Sequence, residues 1–200
     1  SRRGLVSVRS VQVERDPLGR EAVTQFALIN SDAERELTIQ QQQAIKKLTK
    51  LSEGSSFQVA LLHGVTGSGK TEVYLRLAQH MGILGRSVLM LVPEIALTPA
   101  MVATFHGCFG RRVAIQHSGL SDGERHDQWH RIRRGEVDIV IGTRSAVFAP
   151  VENLGLIIVD EEHDGSYKQE ETPRYHARSV AIIRAQRIGA LVVLGSATPS

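Results

Sequence analysis

The sequence predicts an α/β protein in which a mainly parallel sheet carries helices on both faces. From residue 59 onward, short apolar runs alternate with longer amphipathic stretches, which is the rhythm of βαβ units. The runs are apolar at nearly every position, which predicts strands that are buried on both faces of the sheet. With 200 residues, 42% of them apolar, the chain can bury a core of this kind.

The predicted helices and strands occupy residues 37–200. Residues 1–36 show no sustained period and are predicted to be a linker or the end of a preceding domain. A helix is predicted after Thr38, a good N-cap residue. Two later helix starts carry their own signals, Thr98-Pro99 and the capping box from Ser121 to Glu124. The predicted strands are Val59–His63, Val88–Val92, Val113–His117, Val137–Ile141, Leu156–Asp160 and Leu191–Leu194, and the other predicted helices are Thr71–Met81, Pro99–Phe109, Asp122–Arg133 and His176–Ile188.

A glycine-rich segment follows the first predicted strand. Gly64, Gly69, Lys70 and Thr71 satisfy the pattern G-x-x-x-x-G-K-[ST]. Glycines let backbone N–H groups surround phosphates, the lysine adds a charge, and the threonine hydroxyl can bind Mg²⁺. A plain connection between a strand and a helix is the alternative. The segment is predicted to be a phosphate-binding loop formed by Gly64, Val65, Thr66, Gly67, Ser68, Gly69, Lys70 and Thr71.

Polar motifs follow every predicted strand at its carboxyl end. Since these ends share one rim in a parallel sheet, the motifs are expected to be neighbours in space. Asp160 ends an apolar strand and is the expected Mg²⁺ partner of the phosphate loop, while Glu161 can orient and deprotonate an attacking water. His163 either relays between this acidic turn and Ser196 or Thr198, or is an ordinary surface histidine.

A second set of rim residues lies away from the phosphate loop and could face an elongated ligand. Hydroxyls, backbone N–H groups and an arginine are the groups that contact nucleic-acid phosphates. The loop after the acidic turn interleaves aromatic and basic residues, which either pack or form a stacking platform for single-stranded nucleic acid. The candidates are Pro93, Glu94, Ser118, Thr143 and Arg144, with Tyr167, Lys168, Arg174 and Tyr175 in the loop.

The composition bears on membrane insertion, disulfides, metal binding and polyanion binding. No apolar run reaches the length of a membrane span and no signal sequence is present, so the cytoplasm is the expected compartment. A single cysteine, Cys108, excludes internal disulfides and is expected in the core. His126 and His130 are expected on a solvated helical face rather than in a metal site. A net charge of +3 permits a polyanionic partner without requiring one.

The motifs together resemble one known family. They are Gly64–Thr71, Leu91–Thr98, Ile141–Ala146, the acidic box Asp160-Glu161-Glu162-His163-Asp164, and Gly195–Ser200. The chain resembles the first RecA-like motor lobe of the PriA family, the DEEH-box replication-restart DNA helicases of superfamily 2. The resemblance runs from about Leu37 to Ser200. RecG-like helicases are the nearest competitor, and there a glutamine is expected in place of Glu162.

The resemblance implies a RecA-like P-loop NTPase lobe that uses ATP and Mg²⁺ for 3′-to-5′ translocation. It assigns Lys70 and Thr71 to the triphosphate and Mg²⁺, Asp160 to Mg²⁺, and Glu161 to the attacking water. Ser196, Ala197 and Thr198 couple hydrolysis to motion, and either Gln41 or Gln42 reads adenine. The loop from Tyr167 to His176 is similar to one that senses DNA. Implied partners are forked and single-stranded DNA, single-stranded DNA-binding protein and primosome proteins.

The resemblance also implies a domain layout. Residues 37–200 form the ATP-binding lobe, residues 1–36 are a linker or the end of a DNA-binding domain, and the zinc module and second lobe are outside the chain. The 200 residues are therefore expected to bind nucleotide but hydrolyse it poorly. The open alternatives are another superfamily 2 DNA translocase, a P-loop phosphotransferase, a P-loop ATPase uncoupled from DNA, and a fork-binding module with an idle ATP site.

Overall fold

The computed structural model describes residues 36–54, 56–65 and 67–198, so the predictions for residues 1–35, Thr66, Pro199 and Ser200 lie outside the described residues. The helices are α1 (Ile39–Ser52), α2 (Lys70–Ile83), α3 (Pro99–Phe109), α4 (Asp122–Arg133) and α5 (Ala177–Ile188). The strands are β1 (Gln58–His63), β2 (Ser87–Leu91), β3 (Val113–Gln116), β4 (Ile139–Gly142), β5 (Leu154–Val159), β6 (Lys168–Gln169), β7 (Tyr175–His176) and β8 (Leu191–Ser196).

Six strands form one parallel sheet in the order β1-β8-β5-β2-β4-β3. The phosphate-loop strand β1 is at one edge and β3 is at the other. All six carboxyl ends therefore meet at one rim, with the acidic turn after β5 near the middle. The predicted α/β class with a mainly parallel sheet is confirmed. The short strands β6 and β7 form a separate antiparallel pair that the sequence analysis did not predict.

The hydrophobic core has two layers, one on each face of the sheet. On one face, Tyr74 and Leu77 of α2 and Phe105 of α3 pack against Met90 and Ile158. On the other, α5 buries a stripe of small side chains, formed by Ala177, Ala181 and Ala185, against strands β5 and β8. Central strands such as β2 and β5 are buried at every position, which explains their continuous apolar sequence.

The helix starts follow their capping signals. The Thr98 hydroxyl accepts a hydrogen bond from the backbone N–H of Met101, and Ser121 forms the predicted capping box with Glu124. Helices α3 and α4 consequently have the predicted bounds. Strand β8 is longer than predicted, because Gly195 and Ser196 still pair with β1.

The buried face of α3 does not include the cysteine. Cys108 is exposed near the end of α3, so its predicted core position is wrong. The buried stripe of α3 is formed instead by Val102, Ala103 and Phe105. No helix among the described residues is long and apolar enough to cross a membrane.

Candidate functional site

The phosphate loop lies between β1 and the N-terminus of α2. Gly69 is the N-cap of α2 with a φ of 79°, a left-handed conformation that glycine adopts without strain. The amino group of Lys70 donates a hydrogen bond to the carbonyl oxygen of Gly64 at 2.8 Å, which closes the loop across its width. The N-terminus of α2, which is the positive end of the helix dipole, lies directly after the glycine-rich loop, an arrangement that favours a bound phosphate.

The acidic turn directly follows β5. The backbone N–H of Asp160 donates to the carbonyl oxygen of Leu91 at 2.9 Å, so the turn begins where β5 and β2 are still hydrogen-bonded. Glu161 has a φ of 44°, which is uncommon for a residue with a Cβ. Its carboxylate lies 3.2 Å from the amino group of Lys70. The loop lysine and the predicted water-activating carboxylate are thus in direct contact.

Two buried tyrosines hold Asp160. The Tyr74 hydroxyl donates to Asp160 Oδ1 at 2.9 Å, and the Tyr167 hydroxyl donates to the Asp160 carbonyl oxygen at 2.7 Å. Burial raises the pKa of Asp160, and Glu161 raises it further, while the Tyr74 hydrogen bond and Lys70 act in the opposite direction. Sequence reasoning missed Tyr74. The available signal was a tyrosine on the apolar face of α2, since a buried hydroxyl usually needs a partner.

The end of β8 contacts the acidic turn. His163 Nδ1 lies 2.9 Å from Ser196 Oγ, and the same hydroxyl oxygen accepts a hydrogen bond from the backbone N–H of Thr198 at 3.1 Å. The backbone N–H of Ala197 donates to Glu161 Oε2 at 3.4 Å. The residues predicted to couple hydrolysis to motion therefore lie against the predicted water-activating residue. Ser196 itself is fully buried.

Glu162 has a role that the sequence analysis did not find. Its carboxylate is buried and forms an ion pair with Arg178 near the start of α5. Its backbone N–H donates to the carbonyl oxygen of Gly195 at 2.9 Å. Glu162 thus fixes the acidic turn to both α5 and β8. No local sequence pattern predicts the pair, because it depends on how α5 packs against the sheet.

Gln41 contacts the phosphate loop directly. Its amide nitrogen donates to the carbonyl oxygen of Ser68 at 2.9 Å, and its amide oxygen accepts from the backbone N–H of Thr38 at 2.9 Å. The neighbouring Gln42 instead donates to the carbonyl oxygen of Leu37. A cavity of about 370 Å³ lies beside Gln41 and is also lined by His63, Gly64, Val65, Ser68 and Lys70. Of the two glutamines proposed to read adenine, Gln41 has the position beside the loop.

A second cavity, of about 300 Å³, lies on the part of the rim formed by β2, β4 and β3. Most of the predicted nucleic-acid residues line it, namely Glu94, Ser118, Thr143, Arg144 and Tyr175. The Ser118 hydroxyl donates to a Glu94 carboxylate oxygen at 3.2 Å. Arg144 donates to the carbonyl oxygens of Ser166 and Lys168, at 3.2 Å and 2.8 Å, and so holds the loop after the acidic turn. The structure therefore collects this set at one place.

Two members of the predicted nucleic-acid set are buried. Tyr167 is fully buried with its hydroxyl on Asp160, so it cannot stack on a base in this conformation. Pro93 is also buried, and its carbonyl oxygen caps the short 3-10 helix Glu94–Ala96. In this conformation neither side chain is exposed for direct contact with a nucleic acid.

The other members of the loop set are more accessible. Lys168 and Arg174 are both exposed, and each donates a hydrogen bond to Glu170. Tyr175 is half-buried, with its ring 5.0 Å from that of Phe148.

The two side chains predicted to bind Mg²⁺ are both oxygen donors. Thr71 is exposed at the start of α2, and Asp160 follows β5. A hydroxyl and a carboxylate are hard oxygen ligands, and Mg²⁺ in phosphate-transfer sites takes one or two protein ligands together with the phosphates. This pair therefore fits Mg²⁺. Within the described ranges no group of three or more His, Cys, Asp and Glu side chains could hold a metal ion, so His126 and His130 have no third ligand of these types.

Comparison with known proteins places the chain in a family. Residues 38–200 match the family model of the DEAD/DEAH box helicases. The chain belongs to the DEAD/DEAH box helicase family. The phosphate loop, the acidic turn and the end of β8 all lie within the matched residues. A helicase domain uses a nucleoside triphosphate and Mg²⁺, in agreement with the donors present.

Several relatives of this helicase domain are replication restart proteins. The chain is 50% identical over 198 residues to the replication restart protein PriA of Bacillus subtilis (strain 168), covering 99% of this chain and 24% of that protein. It is 46% identical over 194 residues to the same-named protein of Haemophilus influenzae, covering 96% of this chain and 26% of that protein. The chain thus spans about a quarter of the length of the curated relatives that it matches.

Solved structures agree with the fold. RecG bound to a three-way DNA junction matches with a TM-score of 0.64 and 23% identity, over 90% of this chain and 23% of that chain. A hypothetical ATP-dependent RNA helicase from Sulfolobus tokodaii matches with a TM-score of 0.59 and 22% identity, over 90% of this chain and 51% of that chain. The fold of this helicase domain is RecA-like.

Proposed function

We propose that the chain is the ATP-binding motor lobe of a 3′-to-5′ DNA helicase that acts in replication fork restart. One observation carries the proposal: a nucleotide-type site around Lys70, Asp160 and Glu161 and a second cavity around Arg144 lie on the same rim of one sheet. A motor needs two ligand sites that are mechanically connected. The similarity to replication restart proteins supports the choice of DNA as the second ligand.

In this proposal the phosphate loop binds the triphosphate of ATP. Lys70 and the N–H groups at the start of α2 bind phosphate oxygens, which draws Lys70 away from the Gly64 carbonyl oxygen. Thr71 and Asp160 would hold Mg²⁺, which supplies charge neutralisation on the phosphates when bound. Glu161 orients a water molecule and accepts its proton as the water oxygen attacks the γ-phosphorus and the bond to the bridging oxygen of ADP breaks.

The link between the two sites passes through the loop after the acidic turn. Arg144 lines the second cavity and donates to the carbonyl oxygens on either side of Tyr167. Tyr167 in turn donates to the carbonyl oxygen of Asp160. A ligand that moves Arg144 therefore acts on the acidic turn through two hydrogen-bonded steps. On the other side, His163 and Ser196 connect the turn to β8, whose last residues are proposed to couple hydrolysis to motion.

Further parts of the proposal concern the whole protein. Forked and single-stranded DNA are the proposed substrates, and single-stranded DNA-binding protein and primosome proteins the proposed partners, in the cytoplasm. Residues 37–200 are the proposed lobe, and zinc belongs to a module outside it. Because the second motor lobe is also outside, we expect these 200 residues to bind ATP and hydrolyse it slowly.

The proposal is tested by phosphate release from a protein that contains this lobe and the rest of the motor. Release is measured with and without forked or single-stranded DNA, in the wild type and in Glu161→Gln. The expected result is release that DNA stimulates and that Glu161→Gln abolishes. Release that is indifferent to DNA would contradict the proposal and indicate an ATPase uncoupled from DNA. Transfer of the phosphate to an acceptor other than water would indicate a phosphotransferase.

A further inference from the structure

Tyr74 is a buried polar residue that none of the recognised motifs contains. It lies on α2, one helical turn after Lys70, and its side chain is 0% exposed. Its hydroxyl donates to Asp160 Oδ1 at 2.9 Å. The helix that begins at the phosphate loop therefore also contacts the predicted Mg²⁺ carboxylate, directly beneath the loop.

The space for this hydroxyl exists because residue 195 has no side chain. A Cβ placed on Gly195 would overlap the Tyr74 hydroxyl oxygen, and it would lie 3.1 Å from Tyr74 Cζ and 3.0 Å from Asp160 Oδ1. Gly195 is in β8, which pairs with both β1 and β5. Gly195 itself pairs with Leu62 of β1 and its carbonyl oxygen accepts the backbone N–H of Glu162, so it cannot shift without disturbing the strand and the acidic turn. Tyr74 and Gly195 thus form an interlocking pair beside Asp160.

We propose that Tyr74 is a positioning residue that holds the Asp160 carboxylate in its Mg²⁺-binding orientation, and that Gly195 keeps the space for the Tyr74 hydroxyl. This inference rests on the proposed function, in which Asp160 is a Mg²⁺ ligand. Carboxylates that bind metals are commonly oriented by hydrogen bonds from a second layer of residues, and losing such a partner typically lowers metal affinity about 10- to 100-fold. Tyr74 has the geometry of such a partner.

Tyr167→Phe is the matched control for Tyr74→Phe. Each change removes one buried hydroxyl that contacts Asp160, but Tyr74 contacts the carboxylate whereas Tyr167 contacts the backbone carbonyl oxygen. The measurement is the Mg²⁺ concentration that gives half-maximal binding of a fluorescent ATP analogue to the full chain. Binding in EDTA is measured in parallel, and thermal unfolding reports the general cost of losing a hydroxyl.

We expect Tyr74→Phe to raise the required Mg²⁺ concentration about 10-fold, with little change of binding in EDTA. Tyr167→Phe is expected to raise it clearly less, because its hydroxyl contacts the backbone carbonyl oxygen of Asp160 and not the carboxylate. An unchanged Mg²⁺ requirement in Tyr74→Phe, or an equal rise in both variants, would overturn the inference. A wild-type protein whose binding ignores Mg²⁺ would contradict the proposed function, and this inference with it.

Gly195→Ala tests the interlock independently. The added methyl group must displace the Tyr74 hydroxyl, so Gly195→Ala alone is expected to reproduce the Mg²⁺ defect of Tyr74→Phe. The double variant Tyr74→Phe/Gly195→Ala is expected to be no worse than Gly195→Ala, because the overlapping oxygen is gone. Independent, multiplying defects would overturn the interlock. If Gly195→Ala does not fold, the comparison of the two tyrosine variants still decides the role of Tyr74.

Discussion

Lys70 and Glu161 are in contact, with the lysine amino group 3.2 Å from a carboxylate oxygen of the glutamate. The lysine comes from the loop after β1 and the glutamate from the turn after β5, two strands that are separated in the sheet by β8. The cation proposed to bind phosphate and the candidate general base therefore meet across the rim. Their positions support distinct roles in binding and in hydrolysis.

Glu161→Gln is expected to separate these roles. The amide keeps the size of the side chain but cannot accept a proton from water, so we expect ATP hydrolysis to fall about 100-fold or more while nucleotide binding persists. Lys70→Ala is the comparison, and it should weaken binding itself. Both variants are made in a protein that contains this lobe and the rest of the motor, and they are measured by nucleotide titration and single-turnover phosphate release. A Glu161→Gln protein that hydrolyses ATP at the wild-type rate would exclude the general-base role.

Gln41→Ala is expected to weaken the selection of adenine. Its amide contacts Ser68 of the phosphate loop and lines the cavity beside it, whereas the amide of Gln42 contacts Leu37. We expect the preference for ATP over GTP to fall about 10-fold in Gln41→Ala, since one good hydrogen bond to a buried ligand is worth about 1.4 kcal/mol. Gln42→Ala serves as the control and should keep the preference. The opposite order would assign adenine recognition to Gln42.

Arg144→Ala is expected to weaken DNA binding regardless of sequence. If the arginine neutralises one phosphate, the slope of log affinity against log salt should decrease by about 1. Fluorescence anisotropy with labelled single-stranded DNA at several salt concentrations measures this slope. Arg133→Ala is the control, because Arg133 is exposed at the far end of α4 from the rim. Equal slopes for Arg144→Ala and the wild type would remove Arg144 from the phosphate contacts.

Gly142→Ala is expected to destabilise the sheet. A Cβ on Gly142 would overlap the carbonyl oxygen of Gln116 on the neighbouring strand β3. This oxygen belongs to the backbone of a strand that pairs with β4, so it cannot move away easily. Overpacking of this type costs about 1–3 kcal/mol of the free energy of unfolding. Gly107→Ala in α3 is the control, since nothing lies within 4 Å of its added Cβ and alanine favours a helix. In urea unfolding, Gly142→Ala should lower the free energy of unfolding relative to the wild type, and Gly107→Ala should raise it.

His117 is expected to make stability depend on pH. It lines the second cavity, and burial lowers its pKa, although Glu124 and Glu94 act against the shift. The backbone N–H of Gly119 donates to His117 Nδ1, a bond that requires an unprotonated nitrogen. Between the lowered folded pKa and the ordinary value of about 6.5 the unfolded chain binds more protons, so stability should rise with pH in that window.

The measurement is the free energy of unfolding of the wild type and of His117→Gln between about pH 5 and about pH 7.5. The advantage of the wild type over the variant should be largest above the ordinary histidine pKa and shrink as pH falls below it. A difference between the two proteins that stays constant over this range would show that His117 does not titrate in the folded protein as its burial implies.

Much of the fold follows from local signals in the sequence. The N-caps Thr98 and Ser121 bond to the first turns of their helices, so both helices begin at the predicted residues. The strands were recognisable as continuous apolar runs, without alternating apolar and polar residues, because they are covered on both faces of the sheet. The phosphate loop was predictable since its glycines, lysine and threonine are consecutive in the chain. Its geometry depends on a strand, a turn and a helix that are also consecutive.

The remaining features of the site depend on contacts between distant parts of the chain. The sequence left both packing and base stacking open for Tyr167, and its side chain is buried in the core cluster that contains residues of α5 and β8. The pair formed by Glu162 and Arg178 depends on the packing of α5. Choosing between Gln41 and Gln42 required the position of α1 beside the phosphate loop. Local patterns do not contain these distances.

Hydrogen exchange of the full chain, alone and with each ligand, tests the central claim most directly. The claim is that nucleotide and nucleic acid occupy two connected parts of one rim. A Mg²⁺–ATP analogue is predicted to protect residues 64–71 and 160–163, and single-stranded DNA is predicted to protect residues 117–119 and 143–145, with weaker changes at 164–168 for either ligand. The account would be contradicted if DNA protected only residues outside the second cavity, or if neither ligand changed the exchange of residues 164–168.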